Sequence, residues 1–123
     1  INDLEKDNRL IKVLEQLEQD GYILCCATNS VRHSAIIQLT RRGFIDHLEF
    51  VFTNQDVVNP KPNTEIYLRC MIKAGVSPKE TIILEDSELG RKGARATGSP
   101  VLEIENSADV TYRKIRKFID NVK

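Results

Sequence analysis

The sequence predicts an α/β protein: a Rossmann-like parallel sheet with helices on both faces, three layers in all. Three observations lead there. Short apolar runs occur without polar alternation, helical stripes lie between and around them, and glycine or proline stands at most junctions. Unalternated runs suit strands covered on both faces. Strands that alternate with helices imply right-handed crossovers within one parallel sheet.

Residues near 7–20 carry Leu10, Ile11, Leu14 and Leu17, the stripe of an amphipathic helix. Asp7 or Asn8 can cap its start, and Gly21 stops it. Tyr22-Ile23-Leu24-Cys25-Cys26-Ala27 is the first strand, ended by Thr28-Asn29-Ser30, which can cap a helix bearing Ala35, Ile36 and Leu39 and closed at Gly43. Leu48–Thr53 is a second strand, and Asn54–Asn63 is a loop holding Pro60 and Pro62. Asn63 or Thr64 opens a helix with Ile66, Tyr67, Cys70, Met71 and Ala74 on one face, closed at Gly75. After the turn at Ser77-Pro78, Thr81–Leu84 form a third strand. Ser87 can cap a fourth helix, whose Gly90, Gly93, Ala94 and Thr97 make a small-residue face that permits close backbone approach. Val101–Ile104 is the last strand, and Ile115, Phe118, Ile119 and Val122 stripe a final helix. The predicted order is α-β-α-β-α-β-α-β-α.

At 123 residues the chain reads as a single domain spanning 1–123. Such a length buries roughly two-thirds of the unfolded surface. Lysine plus arginine equal aspartate plus glutamate at 18 each, so no global field draws nucleic acid or an acidic membrane. The basic run Tyr112–Lys117 reads as a solvated helix face. Cys25, Cys26 and Cys70 have no CxxC spacing, and adjacent strand residues point to opposite faces. They are expected to be small core residues of a reducing compartment. No apolar stretch approaches the roughly 20 residues of a membrane span, so a cytoplasmic protein is expected.

The chemistry-bearing residues fall at the carboxyl ends of the predicted strands, where parallel α/β sheets bind ligands. Glu85 and Asp86 end the apolar run TIIL. Two adjacent acids there repel one another and lose solvation unless a cation joins them. Hard oxygen ligands suit Mg²⁺, which commonly shares its shell with a substrate phosphate. The competing reading is that Asp86 or Ser87 caps the next helix. Thr28 is by itself an ordinary cap; functionally, its hydroxyl and the Asn29 N–H would grip a phosphate oxygen at a helix N-terminus. Lys61 stands between Pro60 and Pro62, which stiffen the backbone and aim its ammonium at charge on a transferring phosphoryl group. His33 and His47 lack metal-ligand spacing and read as an exposed helix residue and a loop residue. No GxxxxGK loop is present, which argues against an ATPase.

In this order, CCATNS, NPKPNTEIY and ILEDSELGRKGARATG resemble the haloacid dehalogenase (HAD) superfamily, and within it the phosphatase and β-phosphoglucomutase-like branch. The resemblance covers essentially the whole chain. It implies a phosphate-binding role for Thr28, a steadying role for Lys61 toward nucleophile and phosphate, and Mg²⁺ binding by Asp86 with Glu85. Asn29, Ser30 and Ser87 flank these positions. The implied activity is hydrolysis of a small phosphorylated metabolite through an aspartyl-phosphate, with sugar-phosphate mutase chemistry a close variant. A receiver domain shares these residue types but places its acids at the first strand and its lysine at the last.

One family motif has no match. An apolar strand ending DxDx[TV] supplies the attacking aspartate, and neither Asp3, Asp7, Asp46 nor Asp56 stands in such a context. The cap that selects substrate is also unmatched. The chain therefore resembles the C-terminal part of the family fold, expected to be incomplete and inactive alone; the alternative is a non-catalytic phosphate-binding or regulatory module. In the family order the unmatched strand lies between those ending at Thr28 and Leu84. Those two strands are thus expected not to pair directly: a preceding segment or another chain completes the sheet, or the sheet rearranges. Whether the residues encoded before Ile1 contain an apolar run ending DxD, read directly from the coding sequence, separates the incomplete enzyme from the non-catalytic module.

Overall fold

A computed structural model describes residues 5–122. Asp3 lies outside them. In chain order the elements are α1 (Asn8–Gln19), β1 (Cys25–Ala27), α2 (Arg32–Arg42), β2 (Phe50–Phe52), α3 (Glu65–Ala74), β3 (Ile83–Glu85), α4 (Glu88–Arg95), β4 (Val101–Glu103) and α5 (Tyr112–Val122). This is the predicted alternation. The described strands form two separate parallel pairs, β1–β2 and β3–β4, so β1 and β3 are not paired with each other. The chain divides into two compact units, one ending at Asp56 and the other beginning at Val57. No described helix is long and apolar enough to cross a membrane.

In the first unit Asp7 caps α1: its carboxylate accepts the Leu10 N–H at 3.0 Å and the Arg42 guanidinium at 2.9 Å. One side chain thus ties the start of α1 to the end of α2. The Leu10 N–H and Arg42 together hold its carboxyl below the usual range, against the opposing effect of burial. Leu10, Val13 and Leu17 supply the buried stripe of α1. β1 runs beside β2 with Cys25 opposite Phe50 and Ala27 opposite Phe52.

The predicted strand from Tyr22 contracts to Cys25–Ala27. Backbone pairing starts only where Glu49 N–H reaches the Leu24 carbonyl at 2.7 Å, and Ile23 before it is 54% exposed. Of the three cysteines expected in the core, Cys70 is buried, Cys26 is half-buried and Cys25 is exposed. β1 has a ladder partner only in β2 among the described residues, and alternation turns its two cysteines to opposite faces.

At the end of β2, Thr53 is fully buried. Asp56 accepts the Thr53 N–H at 2.8 Å, the Thr53 hydroxyl at 3.1 Å and the Arg32 guanidinium at 3.1 Å. Arg32 also donates to the Val51 carbonyl at 2.9 Å, and its N–H meets Gln55 Oε1 at 2.7 Å. This network, with Val31 at the N-cap position, starts α2. The expected cap from Thr28-Asn29-Ser30 is not used, because the Thr28 hydroxyl oxygen instead accepts the Ser30 N–H at 3.1 Å.

The second unit is built on β3 beside β4, with Leu84 opposite Leu102. Its core gathers Ile66, Tyr67, Cys70 and Met71 from α3, Ile83, Leu102 and Ala94, and Ile115 and Ile119 from α5. Gly75 ends α3 in the left-handed region at φ +73°, which favours glycine. Thr64 stands at the N-cap position of α3 without a capping side-chain hydrogen bond, and the Asn63 side chain before it accepts the Glu65 N–H at 2.9 Å, so both candidate residues take part in the helix start.

Two devices hold the loop that carries Lys61. The Glu65 carboxylate accepts the N–H groups of Val58 at 3.0 Å and Asn59 at 2.9 Å and pairs with Arg69 at 2.6 Å. On the other side Gly93 lets α4 approach the loop backbone: a Cβ there would stand 2.8 Å from the carbonyl oxygens of both Pro62 and Asn63. The small-residue face seen in the sequence is thus a seat for the lysine loop. Gly93→Ala would gain about 1 kcal/mol of helix propensity. Overpacking against backbone costs about 1–3 kcal/mol, so urea denaturation is expected to show a net loss of stability.

Glu65 also has a pH signature. The Val58 N–H, Arg69 and the Asn59 N–H bring its carboxyl from 4.5 to about 2. A depressed carboxyl stabilises the fold above its unfolded value and loses that contribution as pH falls through the folded one. The stability difference between wild type and Glu65→Gln should be full near neutral pH, shrink below 4.5 and vanish near 2, as followed by denaturation midpoints across pH.

Candidate functional site

The end of β3 delivers two acids in succession, and the fold treats them oppositely. Strand alternation turns Glu85 into the unit, where it is 8% exposed, and leaves Asp86 exposed at the strand end. Gly90 makes this possible, since a Cβ at that position would fall within 2.5 Å of three Glu85 side-chain atoms. Ser87 caps α4 by accepting the Gly90 N–H at 3.0 Å, which confirms the capping assignment for serine.

Glu85 is fully engaged. Its Oε2 accepts the Lys61 ammonium at 2.8 Å and the Tyr67 hydroxyl at 2.6 Å. Its Oε1 accepts the Asp86 N–H at 3.2 Å and the Ser87 hydroxyl at 3.4 Å. The side chains of Lys61 and Glu85 are each 9% exposed, so their pair forms largely out of water. Burial pushes the Glu85 carboxyl up, but the Lys61 and Tyr67 hydrogen bonds outweigh it and the carboxyl lies below its usual range. A buried ion pair contributes little net stability, but removing one partner leaves an uncompensated charge. The pair therefore constrains direction: it fixes an ammonium beside a strand end.

Arg91 fastens the backbone at the same place. It is 14% exposed, and its guanidinium donates to the carbonyls of Glu85 at 3.3 Å and Ile104 at 2.7 Å. These carbonyls lie at the ends of β3 and β4, and the first directly precedes Asp86.

Thr28 and Asn29 stand at the equivalent end of β1 in the first unit. The Thr28 N–H continues the ladder to the Phe52 carbonyl at 3.0 Å. Its hydroxyl oxygen accepts the Ser30 N–H, which leaves the hydroxyl proton able to donate. Asn29 is exposed, and Ser30 offers its carbonyl to the Asn54 N–H at 3.2 Å. In the second unit the predicted Lys61 and Glu85 meet directly, with Asp86 next in the chain.

Among the described residues no group of three or more His, Cys, Asp or Glu side chains could hold a metal ion. The donor chemistry separates the two acids expected to bind one. Asp86 is an exposed hard-oxygen donor of the type Mg²⁺ takes alongside water and phosphate oxygens. Glu85 would have to share or surrender oxygens already held by Lys61, Tyr67, Asp86 N–H and Ser87. Of the expected ordinary histidines, His33 is exposed on α2, whereas His47 ends a 3₁₀ turn and meets Glu18 at 2.6 Å.

Sequence reasoning passed over Tyr67 and Arg91. Tyr67 carried a signal: a hydroxyl on an otherwise apolar stripe needs a buried partner. Asp56, dismissed as an attacking group, proves to be the structural acceptor for Thr53 and Arg32.

The chain matches the family model described as haloacid dehalogenase-like hydrolase over residues 3–104. An uncharacterized protein in the fgs 3' region of Lacticaseibacillus casei is 34% identical over 93 residues, covering 76% of this chain and 42% of that protein. The phosphorylated carbohydrates phosphatase of Thermotoga maritima is 28% identical over 98 residues, covering 79% and 45%. The chain thus spans less than half the length of either relative. The crystal structure of a HAD phosphatase from Thermococcus onnurineus superposes with a TM-score of 0.80 at 27% identity, over 92% of this chain and 57% of that one. With the family match reaching most of its length, and parallel strands alternating with helices beneath it, the chain belongs to the haloacid dehalogenase-like hydrolase family.

Proposed function

We propose that this chain carries the phosphate-handling half of a Mg²⁺-dependent phosphohydrolase acting on a small organophosphate. The observation that carries the reading is the buried Lys61–Glu85 pair directly followed by the exposed carboxylate of Asp86. Lys61 enters as an oriented donor. Its charge is largely balanced by Glu85, so its contribution is a fixed N–H direction toward developing charge on phosphoryl oxygens. Thr28, through its hydroxyl, and Asn29, through its N–H, bind phosphate oxygens in this reading.

Asp86 would hold the cation, while Glu85 behind it holds Lys61 and would reach a cation only by giving up one of its present donors. When bound, Mg²⁺ supplies charge neutralisation for the phosphate. In this reading the phosphoryl group would pass from the ester oxygen to a carboxylate, the ester P–O bond breaking as the new one forms and the departing oxygen taking up a proton to leave as the alcohol. Water then releases inorganic phosphate. A second reading, a non-catalytic phosphate-binding module, draws on one observation: no DxDx[TV] strand end occurs in the sequence. Mutase chemistry on a sugar phosphate would use the same residues.

The test is phosphate release from a panel of small phosphate esters by the encoded protein, with Mg²⁺ and with EDTA. Turnover should be lost in EDTA, and Asp86→Asn should reduce kcat by about 10²–10³-fold, the scale of losing one charge-stabilising group. Because Asp86 is exposed, its variant should keep the wild-type melting midpoint. EDTA-insensitive turnover, or an unaffected Asp86→Asn, would sink the Mg²⁺-dependent reading, and absent turnover the hydrolase itself. Inorganic phosphate binding without turnover would favour the second.

Lys61→Met behaves differently: it leaves Glu85 buried and unpaired, and should destabilise the fold by about 3–5 kcal/mol, read by urea denaturation.

A further inference from the structure

Tyr67 touches Lys61 twice, once through the Glu85 carboxylate and once through its ring. Its hydroxyl lies 2.6 Å from Glu85 Oε2, the same oxygen that takes the Lys61 ammonium, and the residue is 4% exposed. The Lys61 Nζ stands 5.3 Å from the centroid of the Tyr67 ring, within the range of a cation–π contact. The hydroxyl also lies 3.1 Å from the Gly90 carbonyl, but it has one proton, and the shorter contact is to the charged acceptor.

We propose that Tyr67 is a positioning residue that sets the direction of the Lys61 ammonium. It occupies one acceptor position of Glu85 Oε2, so the ammonium takes another, and its ring closes one side of the space that Nζ can sweep. With Oε1 tied to the Asp86 N–H and the Ser87 hydroxyl, the carboxylate cannot rotate to follow a wandering lysine. The effect on turnover rests on the phosphohydrolase reading; the effect on Lys61 does not.

Tyr67→Phe keeps the ring and removes the hydroxyl, and Tyr67→Leu removes both. Misdirection of a group acting on the transition state lowers kcat more than it raises KM. Tyr67→Phe should therefore lower kcat about tenfold, the scale of one hydrogen bond to a charged group, with KM close to wild type and a lowered melting midpoint because Glu85 loses a buried donor, the kinetics being read well below that midpoint. Tyr67→Leu should lower it further. Independently of turnover, the side-chain N–H correlation of the Lys61 ammonium in ¹⁵N NMR should shift and broaden in Tyr67→Phe, while Leu68→Ala on the exposed face of α3 leaves it unmoved. A wild-type Lys61 signal in Tyr67→Phe overturns the proposal, and so does a kcat equal to wild type. Absent turnover in the wild-type protein would refute the hydrolase reading alone, with the Lys61 signal still deciding for or against Tyr67.

Discussion

The second unit is organised around one constraint, the need to satisfy Glu85 after the strand has buried it. A carboxylate out of water demands a cation and hydrogen-bond donors, and neighbouring elements each supply something toward that demand. The loop before α3 sends Lys61, α3 sends Tyr67, and the start of α4 sends the Ser87 hydroxyl. Gly90 contributes by lacking a side chain where the Glu85 side chain must lie. Taken together these contacts dock α3, α4 and the loop against one strand end, and the ion pair's worth lies in that specificity rather than in net stability.

Supporting contacts extend outward from this pair. Glu65 gathers the Val58 and Asn59 N–H groups, Gly93 admits the Pro62 and Asn63 carbonyls, and Arg91 holds the ends of β3 and β4. The result is a lysine on a loop that behaves as if built into a rigid element. In the proposed phosphohydrolase reading, such pre-organisation would serve phosphoryl transfer, where positioning and charge stabilisation supply most of the catalysis. The first unit repeats the principle with different residues, where Asp56 joins Thr53 to Arg32 and so fixes the start of α2 close in sequence to Thr28.

Much of this was legible in the residues alone. The helix stripes, the terminating glycines and the alternation of elements depend on local periodicity and backbone preference, and these act over a few residues. The stripe of α3 and the closure at Gly75 followed from such rules. So did the cap at Ser87. Strand extent did not: the apolar run from Tyr22 contains more strand-like sequence than its partner can pair, and only the register with β2 trims it. The exposure of Cys25 was missed for the same reason, because which face of a strand is covered is decided by neighbours distant in sequence, whereas Cys70 on the α3 stripe is buried as expected.

The sequence by itself determined the order of elements, the family and the positions of Thr28, Lys61, Glu85 and Asp86 at loop and strand ends. Tertiary structure alone decided what those residues are to one another. Adjacent acids look equivalent in a sequence, yet alternation along β3 buries one and exposes the other. Glu85 became the partner of Lys61, and Asp86 was left as the open donor. That division rests on a lysine 24 positions away and a tyrosine 18 away, contacts whose free energy exists only once the chain has folded around them.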